Sequence, residues 1–376
     1  MKITDIRAAG LQGATPKGGW SLELRTDDVV HTLVTVHTDA GLVGVGSVFS
    51  SAALVQAALE VLAPICLGSN PLEPDKVSQV MHQNTFWLGR GGSLTHAISG
   101  IDIALWDILG QATGLPVGSL LGGRYRDRVR PYASVLIEDE AGLAGALEKL
   151  VAQGFTAFKI GWGGFGRGSA AADEQSVRAA REAVGPDALL AVDAGGSDAF
   201  WPNGLSWAVR TADMLANYGV AWFEEALCPD DLDGFVALRR RSSVPIAGGE
   251  VLTRRQDFLR FLSAGAFDVV QPDTTKGGGL SESRRVAWLA EAFGAKFIPH
   301  GWNTGVGLAA DLQLVSSLPE TDLVEYKTGS AYIDDLVVGG FALDAMGMLE
   351  VPDGPGLGVQ LDLDVLEQYS PGHGLF

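Results

Sequence analysis

A repeat beginning after Arg130 constrains this chain more than any other feature. Short apolar runs rich in β-branched residues are each followed by a helical stretch of roughly 12 to 18 residues. The runs are Arg130 to Val135, Ala157 to Ile160, Leu189 to Val192, Val220 to Phe223, Val244 to Ala247, Phe267 to Gln271, Lys296 to Pro299 and Thr321 to Val324. Alternating strand and helix implies parallel strands joined by right-handed crossovers, and eight such units in about 200 residues are what a closed barrel requires. A doubly wound open sheet is the alternative, but no GxGxxG follows the first strand of either region of the chain.

At 376 residues the chain is too long for one ordinary core. Residues 1–127 read as a small α+β domain, with alternating segments at Leu22 to Leu24 and Thr32 to Val36 and a turn at Asp39-Ala-Gly41. Its clearest helix carries Ile98, Ile101, Ala104, Leu105 and Ile108 at helical spacing, with Ser93 or Thr95 as cap and Gly110, Gly114 and Pro116 marking the end. Residues 128–335 form the barrel, and residues 336–376, with their Pro352-Asp-Gly-Pro355 turn, are expected to pack back on the N-terminal domain.

Twenty-seven basic against 45 acidic side chains give a net charge of −18, which repels nucleic acid and anionic lipid surfaces. No apolar run approaches the roughly 18 residues that would span a bilayer. Cys66 and Cys228 lie far apart without CxxC spacing, so neither a disulfide framework nor a thiolate metal site is supported. The expected setting is the cytoplasm, and the expected partners are a small-molecule carboxylate and further copies of the same chain.

The chemistry lies in what terminates each run. The second ends near Lys159, the third at Asp193, the fourth at Glu224 and Glu225, the fifth at Glu250, the sixth at Asp273, the seventh at His300 and the eighth at Glu325. In a barrel these positions share the C-terminal rim, where such folds place their active sites. The carboxylates of Asp193, Glu224 and Glu250, on successive strands, would repel one another unless a cation neutralised them. An all-oxygen donor set without His or Cys selects Mg²⁺, with Mn²⁺ second. Asp273 and His300 end adjacent strands, close enough for the carboxylate to fix the imidazole tautomer and raise its pKa, as a general base needs.

These residues resemble the enolase superfamily, and within it the mandelate racemase subgroup. The similarity runs through Ala97-Ile-Ser-Gly-Ile-Asp-Ile-Ala-Leu-Trp-Asp107, Gly154-Phe-Thr-Ala-Phe-Lys159, Val192-Asp193, Trp222-Phe-Glu-Glu225, Gly248-Gly-Glu250, Gln271-Pro-Asp273, Lys276-Gly-Gly278 and Ile298-Pro-His300. It implies a (β/α)7β, TIM-like barrel with an N-terminal α+β capping domain. It further implies that Asp193, Glu224 and Glu250 hold Mg²⁺ with Glu225 behind them, that Asp273 and His300 form the acid/base dyad, and that Glu325 donates a hydrogen bond to the substrate carboxylate. Lys159 matches the lysine that contacts that carboxylate. Lys276 also matches a family lysine, with a rim charge as the alternative role.

Two departures stand out. Where the family commonly has Lys-x-Lys at the end of the second strand, this chain reads Lys159-Ile-Gly161-Trp162, so the second lysine is missing. After Asp193 comes Ala194-Gly195-Gly196, without the polar residue often found there. The implied reaction is removal of a proton α to a carboxylate. With one base on one face, dehydration of an acid sugar, an aldonate or aldarate, is the expected outcome. A sugar-lactone cycloisomerase is the first alternative, since His300-Gly-Trp-Asn-Thr-Gly-Val306 is similar to the stretch in galactarolactone cycloisomerases. A racemase or epimerase of a hydroxy acid and a non-catalytic sugar-acid binding protein are the others. Substrate choice is expected from the loops Gln12 to Trp20 and Ser47 to Ala52, with Trp20, Phe49, Trp87, Arg90 and Trp302 as candidate walls.

Overall fold

The computed structural model describes residues 1–138 and 140–376. Its first part is an antiparallel sheet of β1 (Ile3–Leu11), β2 (His31–Thr38) and β3 (Val43–Val48) in the order β1-β2-β3. Against it pack α1 (Ala52–Cys66), α2 (Pro74–Asn84) and α3 (Ser93–Thr113), followed by the single turn α4 (Val117–Leu120). The expected helix is α3, and it ends where predicted, with Gly114 at φ 72° as a left-handed cap. Its start differs: Gly92, at φ 63°, takes the cap position, and Ser93 and Thr95 lie inside the helix. Leu22 to Leu24 is not a strand, because the Glu23 carboxylate turns back to accept the backbone N–H groups of Gly18, Gly19 and Leu24.

Helix α3 approaches the sheet unusually closely, and small residues allow it. A Cβ on Gly46 would lie 2.8 Å from the Gly100 carbonyl carbon, and one on Gly44 2.9 Å from that of Ala104. Gly44 and Gly46 share one face of β3, while Gly100 and Ala104 share one face of the helix, so helix and strand backbones meet without side chains between them.

The second part is β4 (Arg128–Leu136), α5 (Glu140–Ala152), β5 (Ala157–Gly161), α6 (Ala170–Val184), β6 (Leu189–Asp193), α7 (Leu205–Ala216), β7 (Phe223–Glu224), α8 (Leu232–Arg239), β8 (Ile246–Gly248), α9 (Arg254–Ala264), β9 (Val269–Val270), α10 (Gly279–Ala292), β10 (Lys296–Phe297), α11 (Gly305–Ser316) and β11 (Leu323–Lys327). Each predicted run supplies one strand, and the parallel ladder runs β10-β9-β8-β7-β6-β5-β4-β11. The ladder does not join β10 to β11. At that seam the backbone N–H of Gly301 donates to the Glu325 carboxylate at 2.9 Å. The interior shows that the strands nevertheless surround one core: Tyr132, Ala157, Ala191, Trp222, Ala247, Val269, Ile298 and Leu323, each within a strand or, for Trp222 and Ile298, next to the end of one, form a single buried cluster. The architecture is a (β/α)7β barrel with an α+β cap.

After α12 (Ala331–Asp334), the tail was expected on the N-terminal domain, and it reaches further. The short strand β12 (Leu349–Glu350) pairs antiparallel with β4 of the barrel, while Gly356 bonds the backbone around Pro116 and the Leu375 carbonyl accepts from Thr35. The helix α13 (Leu363–Tyr369) lies between these contacts. Among the described residues no helix is long and apolar enough to cross a membrane.

The close approach of α3 predicts a contrast between two glycines. Gly46→Ala should cost about 1–3 kcal/mol through overpacking. Gly145→Ala, in α5 with open space around it, should leave stability unchanged or raise it by up to about 1 kcal/mol. Chemical denaturation measures both, and equal midpoints for the two variants would contradict the packing described.

Candidate active site

Strand alternation carries the side chains of the site inward. On β11, Leu323 belongs to the barrel interior, so Glu325 and Lys327 point the same way toward the mouth. On β5 the same rule places Lys159 and Gly161 inward after Ala157, and on the fourth strand Trp222 and Glu224 share the inner face. Asp193 ends β6, Glu224 ends β7, and Glu250 lies two residues beyond β8. The carboxylates of these three residues offer oxygens within 4.8 Å of one another, and all three are buried.

This cluster is short of positive charge. Asp193, Glu224, Glu225, Glu250, Asp273 and Glu325 are all buried around it. The cations touching them are Lys159, whose Nζ lies 2.6 Å from Glu224 Oε1, 3.0 Å from Glu325 Oε1 and 3.4 Å from Asp193 Oδ2, and His300. Burial pushes the Glu224 carboxyl up to about 7 despite Lys159. Burial, then the charges of Glu250 and Asp193, push Glu225 well above the carboxylate range. A hard divalent ion held by Asp193, Glu224 and Glu250 would supply the missing charge, and the all-oxygen donor set fits Mg²⁺.

Neighbours fix Asp193, Glu224 and Glu225 in place. Asp193 accepts from the Trp162 indole at 3.0 Å and from the Gly195 N–H at 2.8 Å. Glu224 accepts from the Trp222 indole at 2.9 Å and from Gln271 Nε2 at 2.6 Å. Glu225, at φ 43°, turns away and accepts from the Ser197 hydroxyl, so the backbone after Glu224 sends the two acids in different directions. Ser197 therefore stands where Ala194-Gly195-Gly196 offers no polar side chain. Trp162, Trp222 and Gln271 stand in the motifs quoted from the sequence but were given no role there, although Trp222 and Gln271 lie two residues before Glu224 and Asp273 and so share their faces.

His300 Nδ1 and Asp273 Oδ2 are 2.7 Å apart across a parallel bridge between their strands. The other oxygen of Asp273 accepts from the Thr275 N–H at 2.7 Å and its hydroxyl at 2.5 Å. That leaves Nε2 of His300 facing the cluster, 3.4 Å from Glu250 Oε2. Burial alone would depress the imidazole, but the charges of Glu250 and Glu325 and the bond with Asp273 outweigh it and raise His300 to about 9. Against burial, the His300 hydrogen bond and the Lys276 charge hold Asp273 down at about 2.

Glu325 differs from its expected donor role. It accepts from Lys159, from Gly301 N–H and, at 3.3 Å, from the Tyr132 hydroxyl. Burial would raise it, but Lys159 and His300 hold it down at about 2, which favours an ionised acceptor. Lys159 is correspondingly held well above its ordinary value: burial opposes this, and Glu224 and Glu325 prevail. Gly161 has no room for a second base. A Cβ there would collide with the Asp193 carbonyl and lie 2.8 Å from the Asp193 Cβ.

The lid loop is closed over the mouth. Trp20 makes edge contacts with Trp302 and Trp162, at centroid distances of 4.9 and 5.8 Å, and Phe49 packs on Trp302 at 4.8 Å. Beyond Trp20, Ser21 is latched to the Asp198 carboxylate through its N–H at 3.0 Å and its hydroxyl at 2.5 Å. The remaining cavity, bounded by Trp20, Phe49, Trp302 and the charged residues, measures about 40 Å³. That is room for a water or two, so a sugar acid enters only when the loop moves. From the second expected lid segment Phe49 lines the cavity, while Ser47 belongs to β3 and bonds Thr304 at 3.0 Å. Trp87 and Arg90 do not reach it: Trp87 is 92% exposed, and Arg90 stacks on Phe86. Lys276 lies over the Phe49 ring at 4.5 Å, behind the dyad.

Comparison with known proteins agrees with this layout. Residues 24–122 match the mandelate racemase/muconate lactonizing enzyme N-terminal domain, and residues 142–365 match the family described as enolase C-terminal domain-like. The D-galactarolactone cycloisomerase of Agrobacterium fabrum is 33% identical, with 98% of this chain and 99% of the relative covered. The D-xylonate dehydratase of Haloferax volcanii is 31% identical over 98% and 94%. The crystal structure of 3,6-anhydro-D-galactonate cycloisomerase from Zobellia galactanivorans superposes with a TM-score of 0.87 at 31% identity, covering 98% of this chain and 99% of that one.

The charge balance predicts linkage between cation and proton. A divalent ion at the cluster takes up the Glu250 charge that holds the proton on His300, so His300 should titrate clearly below 9 once the ion binds. Cation affinity should therefore rise with pH up to about 9. Imidazole NMR and calorimetry across pH measure both effects. An unchanged His300 titration would place the ion elsewhere.

Proposed function

The chain belongs to the mandelate racemase/muconate lactonizing enzyme family of the enolase superfamily, and on that premise we propose that it removes the proton α to the carboxylate of an acid sugar and expels a β-oxygen. The preferred reaction is dehydration of an aldonate or aldarate. In this reading the cap of residues 1–127 selects the substrate, the barrel of residues 128–335 carries the chemistry, and residues 336–376 tie the two together.

One observation carries the reading: the His300–Asp273 pair faces the carboxylate cluster, and Gly161 leaves no space for a base opposite it. Mg²⁺, with Mn²⁺ as substitute, would be held by Asp193, Glu224 and Glu250 and, when bound, supplies the Lewis-acid charge that makes an α-proton removable. Lys159, protonated and central, pairs with the substrate carboxylate and stabilises the enediolate as its charge grows. Nε2 of His300 takes the α-proton, with Asp273 holding Nδ1 and the imidazolium that forms. The same imidazolium then gives its proton to the departing β-oxygen, so elimination is syn. Glu325 positions Lys159; donating to the substrate would require a proton that Lys159 opposes. Trp20, Phe49 and Trp302 close over the bound chain and exclude water.

A second reading, ring opening of a sugar lactone, is favoured by the full-length similarity to a D-galactarolactone cycloisomerase. The first step is the same. It differs in that the β-oxygen belongs to a ring, so no water is lost and the product is an isomer. D-Xylonate, D-gluconate and D-galactonate dehydratases among the relatives favour the first reading.

Asp193→Asn, Glu224→Gln and Glu250→Gln should each severely weaken Mg²⁺ binding, measured by calorimetry. Unaltered affinity in all three would remove the cation from this cluster. His300→Asn should lower kcat by about 10²–10⁴-fold and abolish exchange of the substrate α-proton with D₂O while binding persists. Undiminished exchange in that variant would make Lys159 the next candidate base.

A further inference from the structure

Lys327 is a buried cation that the chemistry above does not use. It sits two residues after Glu325 on β11, on the inward face, with 7% of its surface exposed. Among the described residues no carboxylate lies within 4 Å of its ammonium, and none of the hydrogen bonds described involves its side chain. Burial lowers its pKa, while Glu325, Glu138 and Glu23 act on it only through space. Lys17, nearby, is different: it is paired with Glu138 at 3.0 Å on the surface. Lys327 also separates two spaces. One is the catalytic cavity with Lys159, His300 and Glu325; the other is a cleft of about 350 Å³ between the end of β4 and the Pro16–Lys17 loop.

We propose that Lys327 binds a second carboxylate, at the end of the substrate remote from the reacting carbon, so that the preferred substrate class is a six-carbon sugar diacid or its monolactone and not a simple aldonate. The inference rests on the acid-sugar reading of the site. The side chain is buried, but its ammonium opens onto the two spaces and has no carboxylate partner among the described residues, so an anion entering there meets an uncompensated cation. Lys327 lines the same cavity as Lys159, on the side that meets the Pro16–Lys17 cleft, so a chain held by Lys159 at one end reaches Lys327 with the other. The Pro16–Lys17 cleft beyond Lys327 gives the far end of such a chain a place to extend.

The second carboxylate can come from two sources. In an open-chain aldarate it is present from the start. In a monolactone it forms during reaction: His300 takes the α-proton, the Cβ–O bond breaks with its electron pair leaving on the ring carboxyl as a carboxylate, the enol ketonises as its hydroxyl loses a proton and Cβ gains one, and the proton taken by His300 leaves to solvent. Lys327 then stabilises the leaving carboxylate.

The test compares matched aldarate, aldarolactone and aldonate with wild-type enzyme, Lys327→Met and Lys327→Arg, all with Mg²⁺ present. Wild type should favour one of the first two over the aldonate, and Lys327→Met should lose about 10- to 100-fold in kcat/KM for that substrate, with the aldonate affected only a few-fold and Lys327→Arg intermediate. A loss concentrated in KM for the aldarate supports the preformed carboxylate; a loss concentrated in kcat for the lactone supports the one released by ring opening. Calorimetry with His300→Asn supplies a readout without turnover: tighter aldarate than aldonate binding, abolished by adding Lys327→Met, supports the preformed source. Turnover of aldonates with no preference for either diacid form, or an equal loss on every acid in Lys327→Met, overturns the inference and leaves the site reading intact. Absence of binding or α-proton exchange with any acid sugar overturns both.

Discussion

The crowding of buried carboxylates at the barrel mouth is the constraint on which the rest depends. Asp193, Glu224 and Glu325 stand around one ammonium, that of Lys159, with Glu250 beside them against His300, and mutual repulsion in a water-poor site would drive protons onto some of them. Glu224 shows the strain, moved to about 7 even though it makes the shortest contact with Lys159. Glu325 shows the reverse, because His300 and the Gly301 N–H add to what Lys159 provides. Such an arrangement survives only on a rigid frame, and the eight strands with their shared interior cluster provide one. A divalent cation held by Asp193, Glu224 and Glu250 would relieve the repulsion and supply Lewis-acid charge to a carboxylate placed beside Lys159.

A second property is that the site is one-sided. Proton transfer on both faces of a carbon needs a base on each. Here β5 approaches β6 so closely that Gly161 meets the Asp193 backbone, and Trp162, at φ 55°, turns to bond the Asp193 carboxylate. The space that a second lysine would need has been given to holding a cluster carboxylate. Lys159, on the same inward face, is locked among acids and stays protonated. On the proposed reading the base chemistry is left to His300, which suits elimination more than racemisation. The lid, latched at Asp198 and leaving about 40 Å³, means that loop opening precedes any substrate entry.

Much of this was legible in the sequence because barrel geometry converts strand order into proximity. Once eight β-branched runs alternate with helices, whatever polar residue ends each run must meet its counterparts at one rim, and Asp193, Glu224, Glu250, Asp273, His300 and Lys159 do meet. Less legible were features set by local backbone turns. Leu22 to Leu24 alternates like a strand but is claimed by the Glu23 carboxylate, and Trp87 looks like a wall yet lies exposed on the cap. The protonation state of Glu325 depends on a lysine far away in sequence, so spacing could not reveal it. Lys327 was overlooked although its signal, the period of two from Glu325, was present, because it lies beyond the residue taken as the end of the eighth run.

Whether a single base acts on one face is read from the stereochemistry of proton exchange. Acid sugar that is turned over by the wild-type enzyme would be incubated in D₂O with Mg²⁺, and the substrate remaining recovered for NMR. With one base, any deuterium at the α-carbon enters with retention of configuration and the α-epimer does not form. Accumulation of the epimer would contradict it, because a second base would then have to stand where Gly161 and Asp193 leave no room.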